Sequence, residues 1–106
     1  MGQTPAKKIR TQVKLPRPPG EVPTYVWLND KTEIMIVKCG SKTRIFSSLC
    51  PHMGAQMQFC SKSRTVHCPW HGLRYDADSR KSDHHRYKKL QELKGEVVDD
   101  NLLIYE

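Results

Sequence analysis

Two short segments decide how this chain is read: Cys50-Pro51-His52-Met53-Gly54-Ala55 and Cys68-Pro69-Trp70-His71-Gly72-Leu73-Arg74-Tyr75-Asp76. Reduced to their candidate ligands they are C-x-H, an interval of 15 residues, then C-x2-H. Each segment sets one sulfur and one nitrogen donor close together on a turn. Thiolate is a soft, strongly donating ligand suited to iron–sulfur clusters, and imidazole suits iron as a neutral nitrogen donor. Pro51 and Pro69 follow the cysteines and stiffen both turns by fixing φ. Gly54 and Gly72 come shortly after the histidines. Glycine permits positive φ and lets backbone approach a ligand closely. Simple turn formation and N–H donation to a bound cluster are both roles open to these two glycines.

Around the two motifs the chain reads as short strands divided by turns. Tyr25–Leu28 is β-prone and is followed by a turn at Asn29-Asp30-Lys31. Glu33–Cys39 carries Ile34, Met35, Ile36 and Val37, a run expected of a buried strand. Gly40-Ser41 turns the chain, and Thr43–Ser47 returns to complete a hairpin. Further strands are expected over Gln56–Cys60, Arg64–Cys68, Leu73–Tyr75, Glu96–Val98 and Leu102–Tyr105. Lys88–Leu93 could instead form one helical turn. The pattern predicts an all-β, antiparallel sandwich or barrel.

The 106 residues suit one compact domain. The sequence divides into a basic, proline-rich arm over residues 1–20 and a folded domain over 21–106. Pro16, Pro18 and Pro19 argue against regular structure in the arm. Net charge is +7, from 18 Lys+Arg against 11 Asp+Glu. The excess gathers in two runs: Lys7, Lys8, Arg10, Lys14 and Arg17, then Arg80, Lys81, Arg86, Lys88, Lys89 and Lys94. Such runs steer acidic partners, and salt weakens the attraction. A solvated basic surface is the plainer reading, and a nucleic-acid role would rest on charge alone.

Four cysteines stand at positions 39, 50, 60 and 68. The N-terminal stretch has no apolar core of a signal peptide, and no run is long enough to span a bilayer. Met1-Gly2 opens like a myristoylation site, but Ala6 stands where Ser or Thr is wanted. These features predict a soluble, cytoplasmic protein with reduced thiols. Cys39 and Cys60 lack partners at ligand spacing and are expected to be buried or half-buried free thiols. His67 falls outside the ligand spacing and reads as a strand or surface residue. His84 and His85 read as part of a solvated loop. Met53 and Trp70 flank the histidines; shielding a bound cluster, forming an apolar docking rim and ordinary packing are the roles open to them.

Cys50–Ala55 together with Cys68–Asp76 resembles the Rieske [2Fe–2S] domain family, closest to the Rieske-type ferredoxins and the Rieske domains of oxygenases. The resemblance implies an antiparallel β-sandwich whose small subdomain presents one cluster on two loops, spanning about residues 48–76. It assigns Cys50 and Cys68 to one iron and His52 and His71 to the other. The high-potential respiratory branch carries an extra cysteine in each loop, joined as a disulfide; Ala55 and Trp70 occupy those positions here. That branch also places a serine, bonded to a bridging sulfide, where this chain has Leu73. Its tyrosine is kept as Tyr75, which the resemblance casts as a donor to the Cys50 sulfur. Fewer donors make the added electron harder to accommodate, so a potential in the lower half of the roughly −150 to +300 mV Rieske range is expected. The free ring nitrogens of the two histidines would couple that potential to pH.

The resulting expectation is a single-electron carrier, not itself an enzyme, passing electrons between a flavin reductase and a terminal oxygenase or similar acceptor. The alternative is a Rieske subunit or domain of an oxygenase or reductase complex. The chain has no room for the mononuclear iron domain that would activate oxygen. A structural zinc module on the same Cys2His2 set is a third reading, but zinc fingers favour C-x2-C and H-x3–5-H spacings.

Overall fold

The computed structural model describes residues 8–50, 54–69, 72–83 and 89–106. These form nine strands: β1 Ile9–Lys14, β2 Thr24–Trp27, β3 Glu33–Cys39, β4 Lys42–Ser47, β5 Gln58–Cys60, β6 Thr65–His67, β7 Arg74–Asp76, β8 Gly95–Val98 and β9 Asn101–Tyr105. They pair into three antiparallel sheets ordered β1-β9-β8, β2-β3-β4 and β5-β6-β7. No α-helix occurs among the described residues.

The middle sheet is the key to the layering. Side chains alternate across a strand. Met35, Val37, Cys39 and Phe46 enter one hydrophobic core, shared with Met57, Val66 and Tyr75 of the loop-bearing region. Ile34, Ile36 and Ile45 enter a second core with Leu15, Leu102 and Ile104. The run Ile34–Val37 is therefore covered on both faces, and each of its four side chains is fully buried. Burying such a side chain contributes about 1.5–3 kcal/mol. On the β8 side the layers meet closely: a Cβ at Gly95 would run into the Leu103 carbonyl oxygen and lie 2.8 Å from Ile45 Cδ1.

One expectation is corrected. Residues 1–20 were expected to form a flexible arm, yet Ile9–Lys14 is a strand paired with β9. Leu15 is buried, and its N–H donates to the Asp100 carbonyl at 2.7 Å. An edge strand needs only one hydrogen-bonding partner, so its mostly exposed, basic side chains carry little apolar signal. The helical turn left open for Lys88–Leu93 is not formed in its described part, residues 89–93, which run alongside β4. Ser47 N bonds Gln91 O, Leu93 N bonds Ile45 O, and Phe46 bridges Glu92.

Candidate metal centre

The two motif segments form matching loops. Cys50 N donates to Ala55 O at 2.7 Å, and Cys68 N donates to Leu73 O at 2.9 Å. Gly54 N donates back to Cys50 O at 2.8 Å, and Gly72 N donates to Cys68 O at 3.0 Å. Both glycines have φ of 68°, a left-handed backbone that costs an ordinary residue about 1–2 kcal/mol. A Cβ at either would meet nothing within 4 Å, so glycine is required by conformation and not by crowding. The glycine amide hydrogens are committed to the loops themselves. This is the turn-forming role.

The four residues that open and close the loops, Cys50, Ala55, Cys68 and Leu73, are buried in one core. Cys68 and Leu73 extend the β6–β7 hairpin, and Cys50 follows β4 after a short bridge of Leu49 to Gln56. Cys50 is 2% exposed and Cys68 0%, and neither is joined in a disulfide. Two soft donors at the same position of two matching loops suit a centre that takes one sulfur from each. Tyr75, paired with Val66 on β7, is buried in the same core.

His52 and His71, with Pro51, Met53 and Trp70, lie outside the described residues, as do His84 and His85. Among the described residues no group of three or more His, Cys, Asp or Glu side chains could hold a metal ion. Of the four residues the sequence singles out as donors, the two thiols are the described ones. Because the loop frames match, the sequence puts His52 at the third position of its frame and His71 at the fourth.

The other thiols stand apart. Cys39 is buried at the end of β3, and burial pushes its thiol above the usual range. Cys60 is half-buried, and hydrogen bonding with Ser63 draws its thiol down. Half-buried His67 lies within β6.

Two residues that hold the region together were missed by sequence reading. Arg44 of β4 donates through Nε to Glu92 Oε2 at 2.6 Å and through Nη2 to Glu92 Oε1 at 3.0 Å. The same Nη2 donates to the Ala77 carbonyl at 3.0 Å, just past β7. The bond to Glu92 pushes the guanidinium pKa upward. Glu33, at the start of β3, is 4% exposed and faces the loop region. Strand alternation carries the signal in both cases. Glu33 shares a face with Met35, and Arg44 shares one with Phe46.

The two basic runs converge, but not on a surface of one sign. Lys8, Arg80 and Lys94 line a cavity of about 660 Å³ together with Glu92, Glu96 and Glu106. Thr43, near the start of β4, also lines it, whereas Cys50 lies beyond that strand's other end. No helix among the described residues is long and apolar enough to cross a membrane.

Comparison with known proteins agrees with this geometry. The chain is 26% identical to the cytochrome b6-f complex iron–sulfur subunit of Chlorobaculum tepidum, over 94% of its own length. It spans 58% of the length of that relative. It superposes on the ferredoxin of carbazole 1,9a-dioxygenase from Nocardioides aromaticivorans with a TM-score of 0.67 and 24% identity, covering 90% of this chain and 97% of that one. A ferredoxin of Sphingomonas yanoikuyae matches with a TM-score of 0.65 and 15% identity, covering 91% and 99%. These superpositions establish the all-β fold. The sequence profile of the Rieske [2Fe–2S] domain, a family whose members bind one such cluster for electron transfer, matches residues 9–101. Matching loops, two buried thiols and that agreement across most of the sequence lead to one conclusion: the chain belongs to the Rieske [2Fe–2S] domain family.

Proposed function

We propose that the chain is a single-electron carrier in which Cys50 and Cys68 hold one iron of the cluster and His52 and His71 hold the other. The observation that carries this reading is the pair of buried cysteines at equivalent positions of two hydrogen-bonded loops. When bound, the cluster supplies a one-electron couple. The protein's part is to exclude water from the thiol side, fix both sulfurs and set the surrounding polarity. Leu73 contributes an apolar side chain where a hydroxyl would favour the reduced state. The likeness to two ferredoxins, one belonging to a dioxygenase, supports a place between a reductase and a terminal oxygenase. The likeness to a subunit of a larger complex favours the second reading, a Rieske component of a multi-protein oxidoreductase.

The test is a reductive titration with voltammetry. The carrier takes up one electron per chain, at a midpoint in the lower half of the roughly −150 to +300 mV range. No electron uptake would sink the carrier. A midpoint near the top of the range would contradict the reasoning from Leu73 and the missing disulfide. Copurification with a stoichiometric catalytic subunit would decide for the second reading.

A further inference from the structure

The first cluster loop lacks the ladder that supports the second. Directly beneath Cys68 and Leu73 lies the strand pair His67 and Arg74, part of the β6–β7 hairpin. Beneath Cys50 and Ala55 there is an isolated bridge, Leu49 to Gln56. Glu33 adds what the ladder does not. Its Oε1 accepts from Ser48 Oγ at 2.7 Å and from Gln56 Nε2 at 3.0 Å. Its backbone carbonyl accepts from Ser48 N at 3.0 Å. Ser48 stands two residues before Cys50, and Gln56 directly follows Ala55. One buried side-chain oxygen therefore ties both arms of the loop to β3.

That arrangement is costly for a fold alone. A buried carboxylate loses its hydration and must recover it through hydrogen bonds. Met35 and Val37, on the same face of β3, are apolar and fully buried. None of the ion pairs among the described residues involves Glu33. We propose that Glu33 is the positioning residue of the first loop: by clamping Ser48 and Gln56 it fixes the two arms between which the loop opens at Cys50. The inference rests on the reading of Cys50 and His52 as ligands.

The test compares iron release to a strong chelator, and the EPR line shape of the reduced protein, in the holoprotein and three variants. Glu33→Gln keeps an oxygen able to accept both bonds, so its release rate stays within a few-fold of wild type and its line shape is unchanged. Glu33→Ala frees both arms. Iron release then rises about tenfold or more, as expected for losing two hydrogen bonds to a charged group, and the EPR lines broaden. A Glu33→Ala protein with wild-type release and line shape overturns the proposal. So does a Glu33→Gln protein as impaired as Glu33→Ala. If Glu33→Ala gives no folded protein, Gln56→Ala at an exposed position decides. It should speed release about three- to tenfold, and a wild-type rate overturns the clamp. A wild-type protein without a Rieske EPR signal would instead defeat the ligand assignment.

Discussion

Cys68→Ala protein is expected to purify colourless, with iron and acid-labile sulfide near zero, and to melt well below the wild type. Cys68 is fully buried at the mouth of its loop, and residues 69–73 of that loop offer no other thiol. Losing it removes half of the proposed sulfur donors. The centre is also a staple between two loops whose cysteines are separated by 17 residues. By analogy with a disulfide closing a loop of that size, its loss costs about 3 kcal/mol. For a domain of this length that corresponds to a fall in Tm on the order of 15 °C. Cys60→Ser supplies the control, since Cys60 is half-buried on β5 and outside the motifs. It should keep full iron content. Two irons retained by Cys68→Ala would remove that cysteine from the donor set.

The second large effect lies outside the motifs. Arg44→Ala is expected to destabilise the protein by about 2–3 kcal/mol while leaving the donor residues untouched. The Arg44 side chain is 14% exposed and its partner Glu92 is 24% exposed, so water screens this pair only partly. The guanidinium joins three parts of the fold: β4, the segment carrying Glu92, and the carbonyl of Ala77 beyond β7. Truncation leaves a partly buried carboxylate and a carbonyl without their donor. Lysine should recover little, because a single ammonium cannot reproduce the planar, two-pronged contact. Arg64→Ala makes a sharp comparison. Its contact with Asp78 is 3.4 Å long between half-exposed groups, and such pairs contribute about 0–1 kcal/mol. Denaturant melts of the three variants check the ranking.

These effects mark where the sequence was legible and where it was not. Ile34–Val37 declared a buried strand because an apolar run of that length, closed by Gly40, has few other uses. Spacing and donor chemistry singled out Cys50 and Cys68, and the fold buries both at equivalent loop positions; His52 and His71, singled out the same way, lie outside the described residues. β1 did not, since an edge strand is held by backbone bonds to β9 that no side chain encodes. Lys88–Leu93 left room for one helical turn, but backbone bonds from its described part to Arg80, Ile45 and Ser47 tie it to neighbouring segments instead. Tertiary partners outweighed local periodicity there. Glu33 and Arg44 looked like ordinary strand polar residues. Their roles depend on which distant groups the fold brings beside them, and strand alternation alone could indicate only the face.

The central claim is that a thiol pair grips one iron while an imidazole pair grips the other. Chemical analysis combined with pulsed EPR of the reduced protein tests it most directly. The account predicts two irons and two labile sulfides per chain, a Rieske signal, and coupling of the unpaired electron to two histidine nitrogens. One zinc ion per chain, or a cluster whose electron couples to no nitrogen, would contradict it.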